Sequence, residues 1–177
     1  WDNTITIDGK KYEMKQHGFA RDSEFSVIED CPEDEAWFSL EANDDTLSRY
    51  PRRFRLEIGY QLVDERLKVT WRVTNLDDMD MTFQIGAHPA FNYPDFRPSD
   101  AVHAYLLFDR NPATTQLIKE KGCIGKEEMP VTLDENSMLP VTANTFDINT
   151  IILADGKVRR ISVLDKTRTP YLSLLFS

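Results

Sequence analysis

The segment 81–92 carries the histidine that is best placed to do chemistry. Its apolar side chains recur at every second position: Met81, Phe83 and Ile85. This alternation predicts a strand with one apolar and one polar face. His88 has the parity of the polar face, and Pro89 ends the strand because it has no N–H to donate. An imidazole held at a strand end by a stiff turn could transfer a proton to a ligand, although it could also be an ordinary turn residue.

The other two histidines differ in their settings. His17 lies in a loop that contains glycine, whereas His103 lies within a predicted strand, where we interpret it as a solvent-facing residue. The histidine spacings match no local metal-binding signature and no glycine-rich phosphate loop follows a strand, so we expect neither a metal nor a cofactor. Phe19 and Phe91 each lie close to a candidate histidine and could offer an apolar surface to a ligand, but aromatic side chains ordinarily pack in the core.

The composition limits the kinds of partner. The 177 residues have a formal net charge of −9, and no apolar run approaches the roughly 20 residues that a membrane span needs. An acidic surface argues against nucleic acid and anionic membranes, and it fits a neutral small molecule or a protein partner. Cys31 and Cys123 lie far apart, so we interpret them as reduced thiols of a cytoplasmic protein, with a disulfide as the less favoured alternative.

Alternating strands dominate the first half of the chain. The Asp-Gly pair at positions 8 and 9 predicts a tight hairpin. The clearest strand pair covers residues 53–62 and 67–73, joined by a turn at 64–65. Each of these two strands has one apolar and one polar face, which is the pattern of antiparallel strands with one face in water.

Further strands are predicted at 102–108, 114–119, 131–133, 146–153, 158–164 and 171–176. Residues 43–51 predict at most a short helix, and residues 121–130, with two glycines, predict a turn region. About ten short strands with almost no helix indicate an all-β sandwich or barrel in a single domain. The last apolar strand has no polar tail after it, so we expect residues 1–177 to be a piece of a longer chain, truncated or unobserved at both ends.

Two motifs and the strand pair between them resemble one family. The first, at 17–22, reads His-Gly-Phe-Ala-Arg-Asp, and the second, at 85–92, reads Ile-Gly-Ala-His-Pro-Ala-Phe-Asn. Together they resemble the aldose 1-epimerase (galactose mutarotase) family, and its LacX-like branch in particular, over most of residues 1–177. The resemblance implies a large antiparallel β-sandwich, the galactose mutarotase-like supersandwich. This chain would form only part of that sandwich.

The resemblance implies a carbohydrate isomerase that interconverts the α and β anomers of an aldose, a neutral small-molecule sugar. His88 falls on the family's general acid, which protonates the ring oxygen, and His17 falls on a second histidine that hydrogen-bonds the sugar nearby. Imidazole suits the task because it ordinarily titrates near neutral pH, and such a transfer contributes roughly 10²–10⁴-fold to the rate. The remaining candidate sugar contacts are Arg21, Phe19, Phe91, Asn149 and Asp147.

Departures from the family pattern leave other functions open. Asn149 stands where the family has an aspartate, with Asp147 two residues earlier on the same face of a predicted strand. The family's general base is a glutamate beyond the segment that resembles 171–176, so we expect this chain alone to be inactive or nearly so. A sugar-binding protein without catalysis is one alternative. A hexose-6-phosphate 1-epimerase is another, but it would need a cluster of cations where Arg21 is the only one beside the motifs.

Overall fold

The computed structural model describes residues 2–93, 95–118, 123–153 and 156–176. Within these ranges the regular structure is almost entirely strand, the strand ladders are antiparallel, and the α-helical part is one helix of six residues. The prediction of an all-β antiparallel chain is therefore confirmed. The chain divides into two compact units, Trp1–His88 and Pro89–Ser177. The assignment of residues 1–177 to one domain stays a prediction.

The first unit contains a hairpin and a four-stranded sheet. Its strands are β1 (Thr4–Ile7), β2 (Lys10–Glu13), β3 (Ser26–Ile28), β4 (Glu35–Glu41), β5 (Phe54–Val63) and β6 (Arg66–Asn75). β1 and β2 form the hairpin, and the sheet has the order β3-β4-β5-β6. The hairpin turns at Asp8 and Gly9, whose left-handed φ angles of 50° and 77° fit the predicted Asp-Gly turn. The predicted strand pair is confirmed as β5 and β6.

The helix α1 (Asp44–Arg49) connects β4 to β5. Asn43 caps it, because its side-chain oxygen accepts the Thr46 N–H at 3.0 Å and the Thr46 hydroxyl accepts the Asn43 N–H at 2.9 Å. In the last turn, Arg49 pairs with Asp45 one turn earlier at 2.6 Å. The predicted short helix is confirmed.

One face of the four-stranded sheet carries the core of the first unit. The buried cluster consists of Leu40, Tyr50, Phe54 and Leu56. Phe19 and Met81 are among the partly buried side chains that pack against it. Burying an apolar side chain of this size contributes about 1.5–3 kcal/mol, so this cluster fixes the segments that surround it.

Gly59 in β5 lies beneath the indole of Trp37 in β4. A Cβ at position 59 would lie 2.5 Å from two ring carbons of Trp37, which is far inside van der Waals contact. The indole is held in place, since it donates to the Glu35 carboxylate at 2.6 Å and the Arg72 guanidinium lies 4.8 Å from its ring centroid. We therefore expect Gly59→Ala to lower the free energy of unfolding by about 1–3 kcal/mol, because an overpacked site forces its neighbours to shift.

Urea denaturation measures this loss. Gly86→Ala is the matched control, because nothing lies within 4 Å of a Cβ built at Gly86. Gly59→Ala should unfold at a lower urea concentration than either the wild type or Gly86→Ala. Equal midpoints for all three proteins would show that the Trp37 indole moves aside without cost.

The second unit contains a four-stranded sheet and a two-stranded ladder. Its strands are β7 (Ala104–Phe108), β8 (Thr114–Ile118), β9 (Ile124–Pro130), β10 (Met138–Val141), β11 (Arg160–Asp165) and β12 (Pro170–Leu175). The sheet has the order β10-β7-β11-β12, and β8 pairs with β9. Thr115 in β8 is 2% exposed, and its hydroxyl accepts the Ile152 N–H at 2.7 Å, which ties the segment after β10 to this ladder.

Two predicted strands are wrong. Residues 81–92 form no strand, and Phe83 and Ile85 are 50% and 43% exposed, because the segment joins no ladder that would cover one face. Residues 146–153 begin as a turn and continue as irregular structure, and the Phe146 carbonyl accepts the Asn149 N–H at 2.8 Å. Ile152 forms an isolated bridge there with Gln116 of β8.

Three further details of the sequence interpretation are wrong. The turn predicted at 121–130 is largely occupied by β9, and its positions 121 and 122 lie outside the described residues. Residues 131–133, predicted as an edge strand, follow β9 and are not a strand. His103 precedes β7 and is half-buried, not a fully solvent-facing strand residue: its Nδ1 is buried and its ring lies 4.7 Å from that of Phe96.

Candidate active site

The structure brings His17 and His88 together in the first unit. Their ring centroids are 4.9 Å apart and the ring planes meet at 82°, an edge-to-face contact. Both residues are exposed at the surface. Two imidazoles on one patch of surface can both reach a ligand placed there, so one could donate a proton while the other forms a hydrogen bond.

A tight turn presents His17. The Gly18 N–H donates to the Lys15 carbonyl at 3.0 Å, and His17 and Gly18 have left-handed φ angles of 71° and 69°. A non-glycine residue in this region carries roughly 1–3 kcal/mol of strain, and such strain clusters at functional sites. Glycine adopts the same angle without that cost, which accounts for Gly18 as the next residue.

Phe19 attaches this turn to the core. Its ring centroid lies 5.7 Å from that of Phe54 and 6.3 Å from that of Tyr50. The Phe19 carbonyl accepts the Ser23 hydroxyl at 3.0 Å, at the short 3₁₀ helix Ala20–Asp22. The ring therefore has the core position that is ordinary for an aromatic residue, and it supports His17 through the backbone that follows it.

Side chains from the region before β5 hold the segment that leads to His88. The Tyr50 hydroxyl donates to the Thr82 carbonyl at 2.7 Å, and Arg52 Nε donates to the Asp80 carbonyl at 3.2 Å. The Arg52 side chain is only 11% exposed, and its guanidinium pairs with the Asp8 carboxylate at 2.8 Å. Sequence reasoning missed Tyr50 and Arg52, because hydrogen bonds to carbonyl oxygens impose no pattern on the accepting residues.

The pKa values of three groups that hold this segment, Tyr50, Arg52 and Asp77, are shifted. Burial raises the pKa of Tyr50, against an opposing effect of the Arg52 charge. The hydrogen bond to Asp8 raises the pKa of Arg52. At the start of the same segment, the Arg53 N–H donates to Asp77 at 2.5 Å and lowers the pKa of that carboxyl group. At neutral pH, Tyr50 is therefore a protonated donor, whereas Arg52 and Asp77 are charged.

The other candidate residues have different local settings. The Arg21 side chain is 66% exposed and pairs with Asp22 at 3.4 Å. Phe91, Asp147 and Asn149 belong to the second unit, and all three are exposed. The shared strand face predicted for Asp147 and Asn149 is wrong, because both lie in the turns after β10 and Asn149 has a φ of 78°. Their role as sugar contacts stays a prediction.

A cavity of about 180 Å³ lies beside the His17 turn. Its lining residues are Glu13, Met14, Lys15, Gly18, Phe19 and Arg49. Arg49 is already paired with Asp45, and the lining contains one carboxylate, Glu13, as well as the cation Lys15. The cavity therefore lacks the surplus of positive charge that favours a phosphate group.

Metal-binding clusters and membrane-spanning helices are both absent from the described ranges. Among those residues, no group of three or more His, Cys, Asp or Glu side chains is arranged to hold a metal ion. In the same part of the chain, no helix combines the length and the apolar character required to cross a bilayer.

Known sequences match the chain over much of its length. Residues 2–104 match the family model described as Aldose 1-epimerase. The plasmid and chromosomal forms of Protein LacX from Lactococcus lactis subsp. lactis are each 38% identical to the chain over 153 residues, which is 85% of this chain and 51% of theirs. The chain thus spans about half the length of the curated relatives it matches.

Solved structures share the fold. A galactose mutarotase-like protein from Lactobacillus casei ATCC 334 has a TM-score of 0.75 and 25% identity, covering 93% of this chain and 56% of that one. A galactose mutarotase related enzyme from Lactobacillus acidophilus has a TM-score of 0.79 and 24% identity, covering 93% and 55%. The predicted galactose mutarotase-like fold is confirmed. Because the family model covers more than half of the residues, including both histidine motifs, the chain belongs to the aldose 1-epimerase family.

Proposed function

We propose that the protein containing this chain interconverts the α and β anomers of an aldose, with His88 as the general acid. The observation that carries the proposal is the exposed His17–His88 contact, with ring centroids 4.9 Å apart. Membership of the aldose 1-epimerase family supports a carbohydrate function for the whole protein. The cytoplasmic location expected from the two separate cysteines is part of the proposal.

Anomer interconversion needs one proton delivered and one removed. The His88 imidazolium donates a proton to the ring oxygen while a base removes the proton of the hydroxyl group on C1. The bond between C1 and the ring oxygen breaks, and C1 becomes an aldehyde carbon. Rotation about the C1–C2 bond presents the other face of the aldehyde, and the reverse proton transfers close the ring as the other anomer. His17 donates a hydrogen bond beside the ring oxygen and restricts the sugar to poses that His88 can protonate.

Several groups would complete the site in the whole protein. We propose that the base is a glutamate outside residues 1–177, as the family resemblance implies. Arg21, Phe91, Asp147 and Asn149 remain the proposed sugar contacts, since all four residues are exposed and three of them can hydrogen-bond hydroxyl groups. Phe19 contributes by holding the His17 turn against the core, and a direct contact with sugar is secondary.

Polarimetry of the full-length protein tests the proposal. Freshly dissolved α-D-glucose and α-D-galactose should relax to the anomeric equilibrium faster with the protein than without it, at a rate proportional to the protein concentration. Calorimetric binding of sugar without faster relaxation would instead identify a sugar-binding protein. Faster relaxation confined to 6-phosphorylated sugars would identify a phosphosugar epimerase.

A further inference from the structure

We infer that Tyr50 is a positioning residue that keeps His17 and His88 in contact; this inference rests on the proposed function. The Tyr50 ring lies 6.3 Å from that of Phe19, which follows His17 by two residues. The Tyr50 hydroxyl donates at 2.7 Å to the carbonyl of Thr82, which precedes His88 by six residues. One side chain therefore contacts both segments that present an imidazole.

The segment that follows β6 needs such attachments, because it runs to His88 without a strand ladder. After one backbone bond, from the Leu76 N–H to the Arg53 carbonyl at 2.9 Å, three side-chain contacts take the place of a ladder: Arg53 with Asp77, Arg52 with Asp80, and Tyr50 with Thr82. They run in opposite order along the two segments, as the hydrogen bonds of antiparallel strands do. In two of these three contacts a side chain of one segment bonds a main-chain carbonyl of the other, so the identity of the donating side chain matters.

Tyr50 is the contact of this series that lies nearest to His88 in the sequence. Its side chain belongs to the buried cluster with Phe54 and is 9% exposed, so the ring has little freedom to follow a displaced loop. Phe83 and Ile85, which come after Thr82, are half exposed. Within the described residues, the Tyr50–Thr82 bond is therefore the hydrogen bond between the core and this segment that lies nearest to His88.

Arg52 also holds the segment that leads to His88. Its guanidinium bonds the Asp8 carboxylate in the β1–β2 turn and the Asp80 carbonyl, so it joins that hairpin to the segment before His88. Burial raises the pKa of Tyr50, so its hydroxyl stays a donor throughout the pH range in which imidazoles ordinarily titrate. The Tyr50 hydroxyl is therefore protonated at neutral pH and can donate to the Thr82 carbonyl.

The test compares Tyr50→Phe with Tyr60→Phe in the full-length protein. Tyr50→Phe keeps the ring and removes the hydroxyl, whereas Tyr60 is a tyrosine of β5 that is 38% exposed. We expect Tyr50→Phe to lower kcat by about 10–100-fold with little change in KM, because misplaced catalytic groups affect the chemical step most. Tyr60→Phe should retain the wild-type kcat.

A second readout does not depend on activity. Nuclear Overhauser contacts between the ring protons of His17 and His88 should be present in the wild type and in Tyr60→Phe, and weak or absent in Tyr50→Phe. A residue that only added stability would leave this contact and kcat unchanged at temperatures well below unfolding. If the wild type shows no mutarotation while Tyr50→Phe still loses the ring contact, the proposed function fails and the positioning role stands.

Arg52→Lys keeps the inference testable should Tyr50→Phe fail to fold. Lysine can still pair with Asp8, but it lacks the Nε donor that bonds the Asp80 carbonyl. We expect this variant to reduce both kcat and the His17–His88 contact, by less than Tyr50→Phe does. A folded Tyr50→Phe protein, or a folded Arg52→Lys protein, with wild-type kcat and an intact ring contact would overturn the inference.

Discussion

Replacing His88 with alanine is expected to lower kcat of the full-length protein by about 10²–10⁴-fold, the range that one positioned acid contributes. KM should change little, because the proton reaches the ring oxygen only as the ring opens, so the transition state loses more than the bound sugar does. His88 is exposed and contacts His17 through a ring edge, so its removal leaves no buried cavity. The loss of rate should therefore occur in a protein that is still folded.

Polarimetric relaxation of fresh α-anomer measures this effect, and circular dichroism checks the fold. Gln84→Ala is the matched control, since Gln84 is exposed on the same segment four residues before His88. It should retain the wild-type rate. A His88→Ala protein that relaxes the sugar as fast as the wild type would remove His88 from the mechanism.

Replacing Phe54 with alanine is expected to produce the largest loss of stability, about 3–5 kcal/mol in the free energy of unfolding. The side chain is 5% exposed, and its ring lies 5.7 Å from Phe19 and 6.3 Å from Tyr50. Alanine would remove apolar burial and leave a cavity beneath both residues. Because Phe19 follows His17 by two residues, the same change should loosen the turn that presents this imidazole.

Chemical denaturation measures the change in stability. Phe83→Ala is the control, because its ring is 50% exposed and should cost much less to remove. A loss below about 1 kcal/mol for Phe54→Ala, in the range of ordinary substitutions, would show that the cluster around Phe54 is not the core of this unit.

Local patterns predicted the elements whose hydrogen bonds are local. The alternation at 53–62 and 67–73 gave the β5–β6 pair, since a short turn at Asp64 and Glu65 forces neighbouring strands to be antiparallel. The Asp-Gly hairpin and the capped helix were predicted for the same reason. In each of these cases, the pairing that the pattern predicted is made within a few residues or across one tight turn.

Elements that depend on distant partners were predicted less well. Residues 81–92 alternate like a strand, but alternation alone does not supply a neighbouring strand, and the segment is held by side chains instead. The two glycines at 121–130 favoured a turn, although the pairing with β8 makes Ile124–Pro130 a strand. The turns at 146–153 likewise follow from hydrogen bonds such as that from the Asn149 N–H to the Phe146 carbonyl.

The candidate site was likewise predicted only in part from the sequence. His17 and His88 were selected from two motifs, and the structure brings their rings within contact. Tyr50 and Arg52 were not selected, because a tyrosine and an arginine beside a proline look like ordinary surface residues in the sequence. Their burial and their carbonyl partners appear only once the chain is folded.

Titration of the full-length protein with an aldose, followed through the imidazole nitrogen signals of His17 and His88, tests the central claim most directly. If the two rings flank one bound sugar, both sets of signals shift together and give the same dissociation constant, while those of His103 stay in place. Signals that remain unchanged for either His17 or His88 at saturating sugar would contradict the account.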